Sequence, residues 1–231
     1  MPNAQLLTIL GIGFLLGARH ALDADHVAAV ATLVSERRTI RASGLIGVCW
    51  GLGHTVMLLV VGLVIVIFKL TIPERIAGWF EFLVGVMLIG LGGSLAVTIA
   101  RERWHYHAHE HEGRRHLHMH HHRESDQHQH PHRFQGSLKP FVVGMMHGLA
   151  GSAALVLMLA AAVQTVGEML LYTVVFGLGS IVGMVLLGTV VSIPLLFSAT
   201  LGSRTATVVQ GFASLASIGL GFMIIARHAL E

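Results

Sequence analysis

The sequence specifies an all-α polytopic membrane protein, with about six transmembrane helices arranged as a 3+3 inverted repeat. Three observations carry this. Hydrophobic residues make up 54% of the 231 residues and charged residues only 12%, with a mean hydropathy of +0.71, far from the balance of a soluble domain. Six apolar segments are long enough for a bilayer, which takes roughly 20 residues as helix. The two halves of the chain carry the same short motifs in the same order.

The expected spans are 5–34, 43–69, 77–100, 138–163, 167–196 and 206–227. The first is read as one continuous helix rather than a cleavable leader, because no basic segment precedes it and an ionisable cluster occupies its middle. The third opens on Thr71-Ile72-Pro73-Glu74, a capping box with proline near the first turn. Pro194 is expected to end or kink the fifth. Many of the 27 glycines lie in these segments, as suits helices that approach closely.

The repeat is read from three pairs. Gly17-Ala18-Arg19-His20-Ala21-Leu22 parallels Gly144-Met145-Met146-His147-Gly148-Leu149, Gly51-Leu52-Gly53-His54 parallels Gly177-Leu178-Gly179-Ser180, and Ile89-Gly90-Leu91-Gly92 parallels Ile218-Gly219-Leu220-Gly221. The offset stays between 126 and 129 residues. Three helices per copy is an odd number, so the second copy is inverted, a pattern of secondary transporters with a site near the midplane. The chain divides into a first three-helix repeat, 1–100, a His-rich loop, 101–137, and a second repeat, 138–231.

Charge sets the topology. Arg37, Arg38 and Arg41, the seven Lys and Arg between Arg101 and Lys139, and Arg204 fall on one side; Lys69, Arg75 and Arg227 fall on the other. The positive-inside rule then puts the loop in the cytoplasm and the N-terminus outside, in the cytoplasmic (inner) membrane. This placement accounts for a pI near 9.6 without nucleic acid as a partner, since no basic helix or RNA motif accompanies it.

Within the first span, Arg19-His20-Ala21-Leu22-Asp23-Ala24-Asp25-His26 places two histidines, two carboxylates and an arginine at membrane depth. A charge there costs on the order of 3 kcal/mol, so such groups are functional candidates. On a continuous helix His20, Asp23 and His26 share one arc while Asp25 points away. Arg19, four residues before Asp23, is placed to pair with it. His54 is alone in the second span and supplies a donor from another helix. His147 is the repeat counterpart of His20, and Ser180 stands where His54 would be. The competing reading is a structural ion-pair network or a proton relay. Imidazole with carboxylate suits nickel, cobalt or zinc; magnesium and calcium would leave the histidines unexplained. Cys49 is the only cysteine, so no disulfide framework, CxxC site or thiol-conducting reductase chemistry is available.

The loop holds His105, His107, His109, His111, His116, His118, His120, His121, His122, His128, His130 and His132. With no apolar periodicity it reads as an irregular metal-capturing segment, against the alternatives of a plain linker or a pH sensor.

The Arg19–His26 run resembles the RHA-x-DADH hallmark of the nickel/cobalt transporter family of bacterial secondary permeases, and Leu52-Gly53-His54-Thr55-Val56 resembles that family's LGHS-type motif. His147-Gly148-Leu149-Ala150-Gly151-Ser152 is similar to the shorter, urease-accessory-like nickel permease branch. Usual family members have about eight helices with the hallmark on the second and carry a later LGFDTATE-type motif, neither of which is seen here. The resemblance implies that His20, Asp23, Asp25, His26 and His54 select the metal, that Ni²⁺ and also Co²⁺ are cargo with no organic cofactor, and that cytoplasmic nickel chaperones or urease and hydrogenase maturation proteins are partners. The expected function is secondary nickel uptake, with efflux as the alternative. An intramembrane metallohydrolase is the rival from another class; H-E-x-x-H is absent, so no enzyme activity is expected.

Overall fold

The computed structural model describes residues 3–35, 37, 39–68, 70, 73–103, 105–111, 114–120, 138–150 and 165–230. Seven helices appear among them: α1 (Asn3–His20), α2 (Ala24–Ser35), α3 (Ile40–Phe68), α4 (Glu74–Arg103), α5 (138–150), α6 (Val166–Leu201) and α7 (Ser203–Leu230). Between α4 and α5 the backbone forms a two-stranded antiparallel hairpin, β1 (His105–His111) with β2 (Arg114–His120), in which His107 stands opposite His118. These two stretches of the His-rich segment are therefore regular where irregular chain was expected. Their histidines recur at every second position, the period of a strand rather than a helix. His121, His122, His128, His130 and His132 lie outside the described residues.

Four helices, α3, α4, α6 and α7, are long and apolar enough to cross a bilayer, and α1 with α2 makes a fifth span if taken together. The remaining expected span, 138–163, is described only as far as 150. Pro194 does not end its helix, which continues to Leu201. Thr165 caps the start of α6 through the Glu168 N–H at 3.3 Å. α6 passes to α7 through Gly202 alone, at φ 127°, where a side chain would be strained. Pro73 accepts the Ile76 and Ala77 N–H groups at the start of α4; Thr71 and Ile72 lie outside the described residues.

The first span is not one helix. α1 and α2 meet at a 58° bend. At the break the ladder tightens to three-residue bonds, Leu22 N–H to Arg19 O and Asp23 N–H to His20 O, before Asp23 O accepts the Val27 N–H and α2 begins. Asp25 lies in the first turn of α2 and His20 in the last turn of α1, each at the end of a helix dipole that suits its charge.

Small residues bring the helices together, and the contacts come in pairs. A Cβ on Gly17 would strike Phe176 O, and one on Gly144 would strike Trp50 O. Gly179 is likewise closed by Phe14 O, and Gly53 by Phe141 O. Gly85 faces Gly221 O while Gly92 faces Ser214 O. Within each pair the residues are displaced by the same 126 to 129 positions that separate the sequence motifs. α3 packs along α6, α1 along α6 and α4 along α7. Ser214 and Ser217 add hydroxyl bonds to Gly92 O and Leu88 O, 2.8 and 2.9 Å, the usual supplement where water is scarce. The core around Trp50, Leu88, Met184 and Val30 is closed, whereas Leu178, Val190, Phe212 and Phe222 face outward, as lipid contact requires.

Candidate metal centre

The break between α1 and α2 decides what gathers in the core. It turns His20 at the end of α1 toward His26 on α2, with ring centroids 4.7 Å apart. His54 of α3 lies 5.3 Å from His20 and 5.7 Å from His26. His147 of α5 lies 4.5 Å from His26. Four imidazoles from four helices thus converge on one place, and three of them, His26, His54 and His147, are buried.

The carboxylates divide differently from the helical-wheel expectation. Asp25 was expected to point away; it sits inside the group, with Oδ1 3.1 Å from His26 Nδ1 and Oδ2 3.2 Å from His147 Nε2. The same Oδ1 accepts the His26 backbone N–H at 3.0 Å. Asp23, expected beside His20 and His26 on one arc, lies at the rim with its side chain 55% exposed and bonds His20 Nδ1 at 2.7 Å. Arg19 is exposed, and its expected pairing with Asp23 is replaced by that of His20. The physical reason is the same throughout: angles of 100° per residue hold only along unbroken helix, and residues 21–23 are not helical.

Two sets of three donors can each hold one ion: His20, His26 and His54, and Asp25, His26 and His147. In each set the ligand atoms lie within 4.8 Å of one another. Metal–nitrogen bonds of about 2.1 Å place donors roughly 3 to 4 Å apart, so small side-chain rotations close either set.

Hydrogen bonding leaves much of the cluster unsatisfied among the described residues. His26 Nε2, both ring nitrogens of His54, His147 Nδ1, Trp50 Nε1 and Ser180 Oγ are buried with no hydrogen-bond partner among the described residues. His147 Nε2 is near Asp25 but outside hydrogen-bond geometry, so that contact is electrostatic. Each unsatisfied buried group costs about 1–3 kcal/mol. Unspent imidazole lone pairs beside a carboxylate fit a borderline dication.

Two aromatic residues, not singled out from the sequence, wall the cluster. Trp50 stacks near His26 at 5.8 Å and His147 at 5.2 Å, and Phe176 lies 5.7 Å from His20. Trp50 and Phe176 occupy corresponding positions in the two halves, as do His20 and His147. The repeat offset was the signal that would have found them.

The model of the high-affinity nickel-transport protein family, NicO, matches residues 6–229. The chain belongs to that family. It is 38% identical over 201 residues, 86% of its length and 82% of the relative's, to a urease accessory protein, UreH, of Bacillus sp. (strain TB-90). A shorter match, 36% over 92 residues, covers 39% of the chain and 24% of the Arabidopsis thaliana chloroplast protein FOR GROWTH AND FERTILITY 2. No solved structure matches the chain. The NicO family and the apolar helices make this a multi-pass membrane protein and a nickel permease.

Proposed function

We propose that this NicO permease carries Ni²⁺ inward across the cytoplasmic membrane as a secondary transporter, with Co²⁺ as a second cargo, and that His20, Asp25, His26, His54 and His147 replace the ion's water shell on the way. The observation that supports this is the set of buried imidazole nitrogens left without partners around Asp25. Asp23 at the rim holds His20 and adds negative charge where the ion enters. Arg19 and Ser180 line the approach and the core without ligating.

The sequence holds no G-x-x-x-x-G-K-[ST] nucleotide motif, so the gradient is the drive. A dication moving inward down 100 mV gains about 4.6 kcal/mol, twice the single-charge value. The broken first span supplies what a transported ion needs, a discontinuous helix whose ends point into the core. The His-rich hairpin receives the ion in the cytoplasm and passes it to nickel chaperones or urease maturation proteins, the class of partner to which the UreH relative's name points.

The test is flux of Ni²⁺, Co²⁺ and Zn²⁺ into proteoliposomes, paired with nickel content of cells expressing the protein. Nickel flux lost in His54→Ala, and higher cellular nickel with the wild type, are expected. Lower cellular nickel would make the protein an exporter and overturn the direction.

A further inference from the structure

The two donor sets overlap in a single residue. His26 belongs to both, and it is buried, 2% exposed, whereas each set has one member open to the outside: His20, 25% exposed at its side chain, in the first, and Asp25, 29%, in the second. The remaining members, His54 and His147, are closed in.

The first set lies wholly in the first half of the chain, and the second adds one donor from the second half, His147. His20 against Phe176 is matched, at the same offset, by His147 against Trp50. Their supporting glycines match as well, since Gly17 is seated on Phe176 O and Gly144 on Trp50 O. The position corresponding to His54 is Ser180, and those corresponding to Asp23 and Asp25 are Ala150 and Ser152. The halves therefore present equivalent imidazoles, while the shared ligand and the charge come from the first half alone.

We infer that the cluster is two overlapping nickel stations, His20–His26–His54 and Asp25–His26–His147, and that the ion crosses the core by passing from one to the other on His26. This rests on the permease reading above. The argument is energetic. Conduction requires a site that is favourable to enter and still possible to leave. Separate sites would leave a dehydrated dication far from any ligand between them; a shared imidazole keeps one donor residue beside it throughout. The stations differ in charge, three neutral donors against two imidazoles and a carboxylate, so the ion has a downhill direction at the hand-off. His26 is the pivot; His54 and His147 decide which station is complete.

The test uses the full-length purified protein and nickel alone. Equilibrium dialysis is expected to give one Ni²⁺ per wild-type chain, since the stations compete for His26. His54→Ala and His147→Ala each keep one ion: the first leaves the carboxylate station and changes affinity less than about twofold, the second leaves only the neutral station and holds nickel about tenfold to a hundredfold more weakly, and X-ray absorption finds more oxygen in the His54→Ala shell and more imidazole in the His147→Ala shell. His26→Ala loses both, and all three variants lose net flux. Two ions per wild-type chain overturn the sharing, whatever the variants do. Complete loss of binding in His54→Ala or His147→Ala, with a monodisperse protein and the same loss in the amide variant His54→Gln or His147→Gln, shows one indivisible site and overturns the stations. Unchanged binding and flux in either variant does so too. Nickel flux through one indivisible site leaves the permease reading standing; no wild-type flux removes that reading and the hand-off with it.

Discussion

His54 is a side chain kept against the stability of its own helix. It is fully buried, both ring nitrogens are unpartnered among the described residues, and its neighbours on α3 are apolar or small. Leucine fills a similar volume without polar atoms. His54→Leu is therefore expected to stabilise the metal-free protein by about 1–3 kcal/mol, seen as a melting temperature several degrees higher in detergent. The same change should abolish the melting shift that nickel gives the wild type. A fall in melting temperature without metal would mean that His54 is satisfied and structural. Asp25 behaves in the opposite sense. It already holds His26 and faces His147, so Asp25→Asn should keep the cluster in place and weaken nickel binding by at least about tenfold through loss of charge, measurable by dialysis. At this scale the four histidines were legible in the sequence, because a histidine in an apolar run stands out by type alone. The division of labour between Asp23 and Asp25 was not. It depends on where the helix breaks, and a wheel drawn through Ala21–Asp23 assigns the two carboxylates to the wrong sides.

The break itself is the element on which the site depends. Leu22 and Asp23 take three-residue bonds, and Asp23 and Asp25 stand at the start of the next helix, where acidic residues oppose the positive dipole end. These are start signals, and they sit in the middle of an apolar stretch whose length alone argues for one span. Hydropathy won in the sequence reading because it is counted over twenty residues while a cap is read over four. The extents of α3, α4, α6 and α7 were legible to within a few residues, since nothing competes with length and apolarity there. Interhelix packing gives the sharpest element-scale prediction. A methyl on Gly17 or Gly144 meets backbone of the facing helix, which cannot rotate away, whereas one on Gly90 meets nothing within 4 Å. Gly17→Ala and Gly144→Ala are each expected to cost about 1–3 kcal/mol. Gly90→Ala should be neutral or gain up to about 1 kcal/mol of helix propensity. Melting of the three purified variants checks this, and equal effects at Gly17 and Gly90 would contradict the packing.

At the scale of the whole molecule, the cluster draws donors from both halves of the sequence. The proposed drive is an ion gradient or the membrane potential. Asp25 is the one carboxylate in the two donor sets, and the Ni²⁺ that crosses carries two charges of its own, so uptake without a counter-ion is felt by the field. Nickel uptake into proteoliposomes should therefore respond to a potassium diffusion potential, negative inside. The electrical term is about 4.6 kcal/mol per 100 mV for a dication, which corresponds to more than three decades in the equilibrium ratio of inside to outside nickel at one decade per 1.4 kcal/mol. A protein that exchanged one Ni²⁺ for two protons would carry no net charge, and its flux would follow a pH gradient while ignoring the potential. Flux that tracks the imposed voltage at constant pH on both sides supports electrogenic uptake, and flux that does not excludes it. Deleting residues 105–132 should leave this voltage response intact, because every donor of the core lies on α1, α2, α3 or α5. If the deletion removes the response, the hairpin belongs to the conduction path and the core is not sufficient for transport.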